Sequence, residues 1–128
     1  MQTAREPGTS PKLLLVEDDR DLREALSQLL KDSGYDVVCA ENGREALDYL
    51  VDAPPPCLVL LDLMMPVMNG WEFRAEQTKN ASISGIPVVV VTADGRADLK
   101  ALALGADDYL RKPIEIERLL DVVGRYGC

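Results

Sequence analysis

Histidine is absent from this chain of 128 residues. Its absence excludes an imidazole nucleophile, an imidazole general base, a His-ligated metal and a phosphohistidine carried by the chain itself. Cysteine is scarce as well. Cys39, Cys57 and Cys128 are odd in number and form no CxxC pair. Cys39 and Cys57 lie in apolar runs and read as buried, reduced thiols of a cytoplasmic protein. No apolar run approaches the ~20 residues that span a bilayer, so no membrane partner is expected. The stretch from Met1 to Pro11 lacks the apolar centre of a signal peptide. Bases are outnumbered, 14 against 22 acids, for a net charge of −8. A nucleic-acid binder usually carries a basic face, so direct contact with DNA or RNA is not expected. An acidic surface remains suited to cations.

What is present fits one domain. Hydrophobic residues make up 47% of the chain and charged residues 28%, enough for one core and a polar surface. Met1–Pro11 is polar, with two prolines and a glycine, and is expected to be a flexible leader over residues 1–11. From residue 12 to residue 126 short apolar runs alternate with segments of helical periodicity. Leu13–Val16, Tyr35–Ala40, Leu58–Leu61, Pro87–Val91 and Asp108–Leu110 read as strands. Leu22, Ala25, Leu26, Leu29 and Leu30 recur at helical spacing, with Gly34 as a C-terminal cap. Asn42 with Glu45 resembles a capping box and opens a helix to about Asp52, stopped by Pro54, Pro55 and Pro56. Further helices are expected from Asn69-Gly70 to about Asn80, over Ala97–Leu104 before Gly105, and over Ile116–Tyr126. Five strand–helix units with short connections imply an α/β fold, a doubly wound five-stranded parallel sheet with helices on both faces. The flavodoxin-like order 2-1-3-4-5 is expected.

Ligands of such sheets bind outside the carboxyl ends of the strands, at the switch point. The first strand ends in Glu17-Asp18-Asp19, the third in Asp62, the fourth in Thr92, and Lys112-Pro113 follows the fifth. In this strand order three aspartates, a hydroxyl and an ammonium converge on one edge. Carboxylates packed together repel, and some take up protons unless a cation compensates. Lys112 offsets one charge. An all-oxygen site without His or Cys suits Mg²⁺ or Mn²⁺. A carboxylate there can act as a nucleophile towards phosphorus, with metal, Lys and hydroxyl neutralising charge. Singly, each strand-end aspartate is as readily a helix N-cap; only the full set in register is specific.

The chain resembles bacterial response-regulator receiver domains, from about Lys12 to Tyr126. The resemblance rests on Leu14-Leu15-Val16-Glu17-Asp18-Asp19, on Leu60-Leu61-Asp62-Leu63-Met64-Met65-Pro66 with Asn69-Gly70, on Val90-Val91-Thr92-Ala93, and on Gly105-Ala106-Asp107-Asp108-Tyr109-Leu110 with Lys112-Pro113. It implies that Asp62 is the phosphoacceptor. Asp19 would bind Mg²⁺ directly, Asp18 mainly through water, and the main-chain carbonyl of Met64 would be a further ligand. Thr92 would hydrogen-bond the phosphoryl group, and Lys112 would pair with Asp62 and then with the phosphoryl oxygens. Tyr109 would be the switch aromatic, and the Lys112-Pro113 bond would be cis. Met64 and Asp94, two positions after Asp62 and Thr92, would tune access of water to the phosphoryl group.

The implied partners are a histidine kinase or phosphotransfer protein as donor, and a downstream protein or output domain as target. A homodimer through the fourth helix, fifth strand and fifth helix is a further option. Two other functions compete with this reading. A phosphatase resembling the haloacid dehalogenase-like family would need a second aspartate where Met64 stands, and its nucleophile would precede the acidic pair. A phosphorylation-independent interaction module would not need the whole set of Asp18, Asp19, Asp62, Thr92 and Lys112. Binding of FMN is excluded, because Asp18-Asp19 stands where a phosphate loop would be. The sequence leaves open a stand-alone receiver or one excised from a longer protein.

Overall fold

The computed structural model describes residues 12–126; the leader expected over residues 1–11 and Cys128 lie outside them. The elements are β1 (Lys12–Val16), α1 (Arg20–Asp32), β2 (Asp36–Ala40), α2 (Gly43–Asp52), β3 (Leu58–Asp62), α3 (Gly70–Lys79), β4 (Val88–Thr92), α4 (Ala97–Leu104), β5 (Asp108–Arg111) and α5 (Ile116–Tyr126). All strand pairs are parallel, in the order β2-β1-β3-β4-β5. The chain therefore has the flavodoxin-like doubly wound sheet expected from the alternation of apolar runs and amphipathic segments.

The two-residue period of a strand divides the core. Leu13, Leu15, Leu58, Leu60, Val89 and Val91 point to one face and pack with Leu26 and Leu30 of α1 and Leu119, Val122 and Val123 of α5. Leu14, Val16, Val59, Leu61 and Val88 point to the other and meet Ala46, Leu47 and Leu50 of α2 and Phe73 of α3. β3 and β4 are buried along their whole length. This is why they read as unbroken apolar runs rather than as an alternation.

Helix ends follow the local chemistry. The Asn42 side chain accepts from the Glu45 amide at 2.9 Å, but the Glu45 carboxylate reaches the Glu41 amide instead of closing a box on Asn42. The box is complete at α3, where Asn69 and Glu72 cap each other's amides at 2.9 and 3.0 Å. α4 ends on Gly105 at φ +69°, the left-handed conformation that glycine adopts without a Cβ penalty. α3 buries little apolar surface beyond Phe73, and it compensates with polar contacts. Buried Gln77 donates to the Ile83 and Ile86 carbonyls at 3.0 and 3.1 Å and accepts from Arg74 at 2.8 Å. Arg74 also donates to the carbonyls of Leu104 and Gly105 at 3.0 and 2.8 Å, so α3 holds the end of α4.

The cysteine expectation is corrected. Cys39 is exposed. It lies on β2, an edge strand, where apolar neighbours in sequence do not guarantee cover on both faces. Cys57 is half-buried and disulfide-bonded, with its Sγ 3.1 Å from the Lys12 carbonyl oxygen. Cys39 keeps a free thiol, so only its burial is corrected, whereas for Cys57 the reduced state is corrected as well. Among the described residues, no helix is long and apolar enough to cross a membrane.

Candidate functional site

The crossover reverses direction at β1, with β2 on one side and β3 on the other, and the strand ends there open a cavity of about 630 Å³. Its lining includes Glu17, Asp18, Asp62, Thr92, Asp94 and Lys112. The strands place each group. Asp62 closes β3 in register with Val91, so Thr92 lies one step further along the neighbouring strand. The Glu17 amide donates to the Ala40 carbonyl at 3.0 Å, which carries the β1 ladder one residue past Val16. Lys112 follows β5, and its peptide bond to Pro113 is cis, as the resemblance implies.

Carboxylate oxygens of Glu17, Asp18 and Asp62 all lie within 4.8 Å of one another. Glu17 and Asp62 are buried, 1% and 4% exposed. The Lys112 ammonium stands between them, 2.9 Å from Glu17 and 3.6 Å from Asp62. The Met64 amide donates to Asp62 at 3.3 Å. One ammonium cannot balance this cluster. Burial, then the Glu17 charge and its hydrogen bond, push the Asp62 carboxyl up to about 7, while Lys112 pulls the other way. Burial works against the charge of Lys112. The Glu17 hydrogen bond and the charges of Asp62 and Glu17 outweigh it, so its pKa is raised. An all-oxygen cluster with surplus negative charge fits a hard divalent cation.

Asp19 does not join the cluster. Its side chain accepts from the Leu22 amide at 3.2 Å and N-caps α1. Its own amide donates to Glu17 at 3.1 Å. The carboxylate cluster begins at Glu17, while Asp19, which lines the same cavity, is engaged at the start of α1. The sequence contains a signal for this. An Asp immediately before a helix is a preferred N-cap, so the last of three acids is the one most easily diverted.

Arg23 was also missed. Its guanidinium donates to the Glu17 and Asp18 carbonyls at 2.9 and 3.4 Å and reaches Glu41 at 3.4 Å. It therefore clamps the acidic turn from one helical turn away. Thr92 is buried, and its Oγ1 accepts from the Asp94 amide at 3.2 Å. Tyr109 is half-buried on β5, with the Arg111 guanidinium 5.8 Å from its ring centre. Met64 is 72% exposed at the rim.

The family described as response regulator receiver domain matches residues 13–124. The transcriptional regulatory protein CpxR homolog of Haemophilus influenzae is 47% identical over 111 residues, covering 85% of this chain and 47% of that protein. Response regulator MprA of Mycolicibacterium vanbaalenii is 41% identical, with 85% and 47% covered. The chain spans about half the length of the curated relatives it matches. Among solved structures, Vibrio cholerae chemotaxis protein CheY4 superposes with a TM-score of 0.83 at 32% identity, covering 92% of this chain and 99% of that one. The signal receiver domain of a Syntrophus aciditrophicus histidine kinase gives 0.82 at 32% identity, with 91% and 89% covered.

Proposed function

The chain belongs to the response regulator receiver domain family of two-component signalling, and we propose that it works by accepting a phosphoryl group on Asp62. The observation that carries this reading is the position of Asp62. It is a buried carboxylate at the end of β3, within 3.6 Å of an ammonium and grouped with two further carboxylates.

The donor is a phosphoimidazole on a histidine kinase or phosphotransfer protein. An Asp62 oxygen attacks phosphorus, the P–N bond breaks, and its electron pair returns to the departing imidazole. Asp62 is left as an acyl phosphate. Glu17, Asp18, Asp62 and the main-chain carbonyl of Met64 would hold Mg²⁺ or Mn²⁺, which supplies positive charge against the developing phosphoryl oxygens. Lys112 transfers part of its pairing from Glu17 to those oxygens. Thr92 donates its hydroxyl to one of them.

The added charge biases two pre-existing states. Thr92 and Tyr109 carry the change to the face of α4, β5 and α5, where Leu99, Leu102 and Ile116 are exposed. A downstream protein, an output domain or a second copy would read that face. Net charge keeps nucleic acid out of the proposal. A cytoplasmic location belongs to it only through the kinase donor.

Incubation with Mg²⁺ and acetyl phosphate should add one phosphoryl group, read by intact mass, and excess chelator should prevent it. A folded chain that gains no mass under these conditions, and does not bind beryllofluoride, would be a phosphorylation-independent module.

The proposed ligand set gives a second test. Asp19→Ala should cost about 1 kcal/mol of stability through the lost cap and leave the Mg²⁺ dissociation constant within about twofold. Asp18→Asn should weaken Mg²⁺ roughly tenfold, because hard-ion affinity follows ligand charge. Calorimetric titration of both variants distinguishes the assignments. The reverse ranking would restore Asp19 as the ligand.

A further inference from the structure

Lys100 is not accounted for by the phosphorylation chemistry above, yet it lines the same cavity. It sits on α4, and its ammonium lies 2.8 Å from the Asp94 carboxylate. Both side chains are about one-third exposed, 33% and 37%. The other Asp94 oxygen accepts from the Arg96 amide at 2.7 Å, and the Asp94 amide donates to the Thr92 hydroxyl oxygen at 3.2 Å. A continuous set of contacts therefore runs from α4 through Asp94 to the hydroxyl at the end of β4.

We propose that Lys100 is a positioning residue that, through Asp94, latches the loop after β4 to α4 and holds Thr92 in its resting arrangement. The inference rests on the receiver reading and deepens it: the latch sets how readily the site commits to the phosphorylated state. The Asp94 carboxylate is pinned from two sides, by a helix side chain and by the Arg96 amide. The peptide that bonds Thr92 is thereby fixed relative to α4. Movement of Thr92 towards a phosphoryl group on Asp62 must carry α4 along, break the Lys100–Asp94 pair, or give up the 3.2 Å bond from the Asp94 amide. The ion pair is partly exposed and so is a weak restraint, as suits an element that has to open. The geometry also gives Lys100 a competing role as a second cation for the phosphoryl oxygens, and the two roles predict opposite signs.

Beryllofluoride affinity in the presence of Mg²⁺ separates them. Lys100→Met keeps the apolar stem and removes the charge. With the latch open, it should bind beryllofluoride about 3- to 10-fold more tightly, a bias of roughly 1 kcal/mol. Asp94→Asn should do the same, and the double variant should add nothing to either single change. Lys100→Arg should restore the resting affinity. Weaker binding by Lys100→Met would overturn the latch and make Lys100 a phosphoryl ligand. Additive single effects, or unchanged affinity in a folded variant, would also overturn it. Binding lost in all variants and in the unaltered chain would count against the receiver reading itself.

Discussion

Asp62→Asn is expected to abolish phosphoryl uptake and, in the same protein, to raise stability at alkaline pH when no divalent cation is present. The first effect follows from loss of the nucleophile. The second follows from the same burial that suits Asp62 to the site. Its carboxyl is pushed from 3.8 up to about 7, so the folded state holds the proton more tightly than the unfolded chain does. Below pH 3.8 Asp62 is protonated in both states and carries no electrostatic penalty. As pH rises from 3.8 towards about 7 the unfolded chain gives up its proton before the folded one does, so stability falls, and the loss is complete above about 7. The proton is shared within the cluster, so a penalty on the order of 2 kcal/mol is expected at pH 8.

Asparagine lacks the penalty. Metal-free Asp62→Asn should therefore melt about 10 °C higher than the parent at pH 8, and the gap should close near pH 4. Mg²⁺ should close it from the other side. At a concentration of 100 Kd it adds about 2.7 kcal/mol to the parent and little to a variant that has lost a ligand. Thermal melts at several pH values, with Mg²⁺ and with chelator, provide the check. Parallel melting curves for parent and variant would show that Asp62 is not the strained member of the cluster.

The legibility of this site followed the kind of information each residue carries. Asp62 was readable because an all-apolar run of fixed length ends on it, and parallel-sheet geometry converts a strand end into a place. Thr92 and Lys112 were readable for the same reason. Val88 to Val91 admit hardly any other element, and a Lys-Pro pair after a short strand marks a turn. The place of Asp19 was not legible, because periodicity does not say where a strand hands over to a helix, and three consecutive acids differ only by that boundary. The Glu17 amide still belongs to the ladder, and the Asp19 carboxylate already belongs to α1. A shift of one residue changed both roles. Arg23 and Arg74 escaped notice because most of their partners are main-chain carbonyls, which have no signature in side-chain pattern. Cys39 was misjudged for a topological reason: apolar neighbours do not reveal that a strand lies at the edge.

Gly70 is the residue where fold and site meet most tightly, and Gly70→Ala is expected to damage both. A Cβ there would stand 2.6 Å from the Asp62 carbonyl oxygen, 2.8 Å from Leu63 Cδ2 and 2.9 Å from Leu63 Cα. Two of these three atoms are backbone and cannot swing aside. The Gly70 amide also donates to the Leu63 carbonyl at 3.0 Å, and the Asn69–Glu72 capping box fixes the helix start from the other side. The added methyl must therefore push the start of α3 away from the end of β3. Overpacking of this kind costs about 3 kcal/mol. The atom being pushed is the carbonyl of the proposed nucleophile, and a displacement of ~1 Å at a reacting group costs on the order of 100-fold in rate. Phosphoryl uptake from acetyl phosphate should fall by about that factor even at temperatures where the variant is folded. Gly95→Ala is the matched control, since a Cβ at Gly95 meets nothing within 4 Å, and it should stay within about 0.5 kcal/mol of the parent. Gly70→Ala with parental stability would mean that the β3–α3 junction is slack. A destabilised but fully reactive variant would place the give in α3 and leave Asp62 held by its strand neighbours alone.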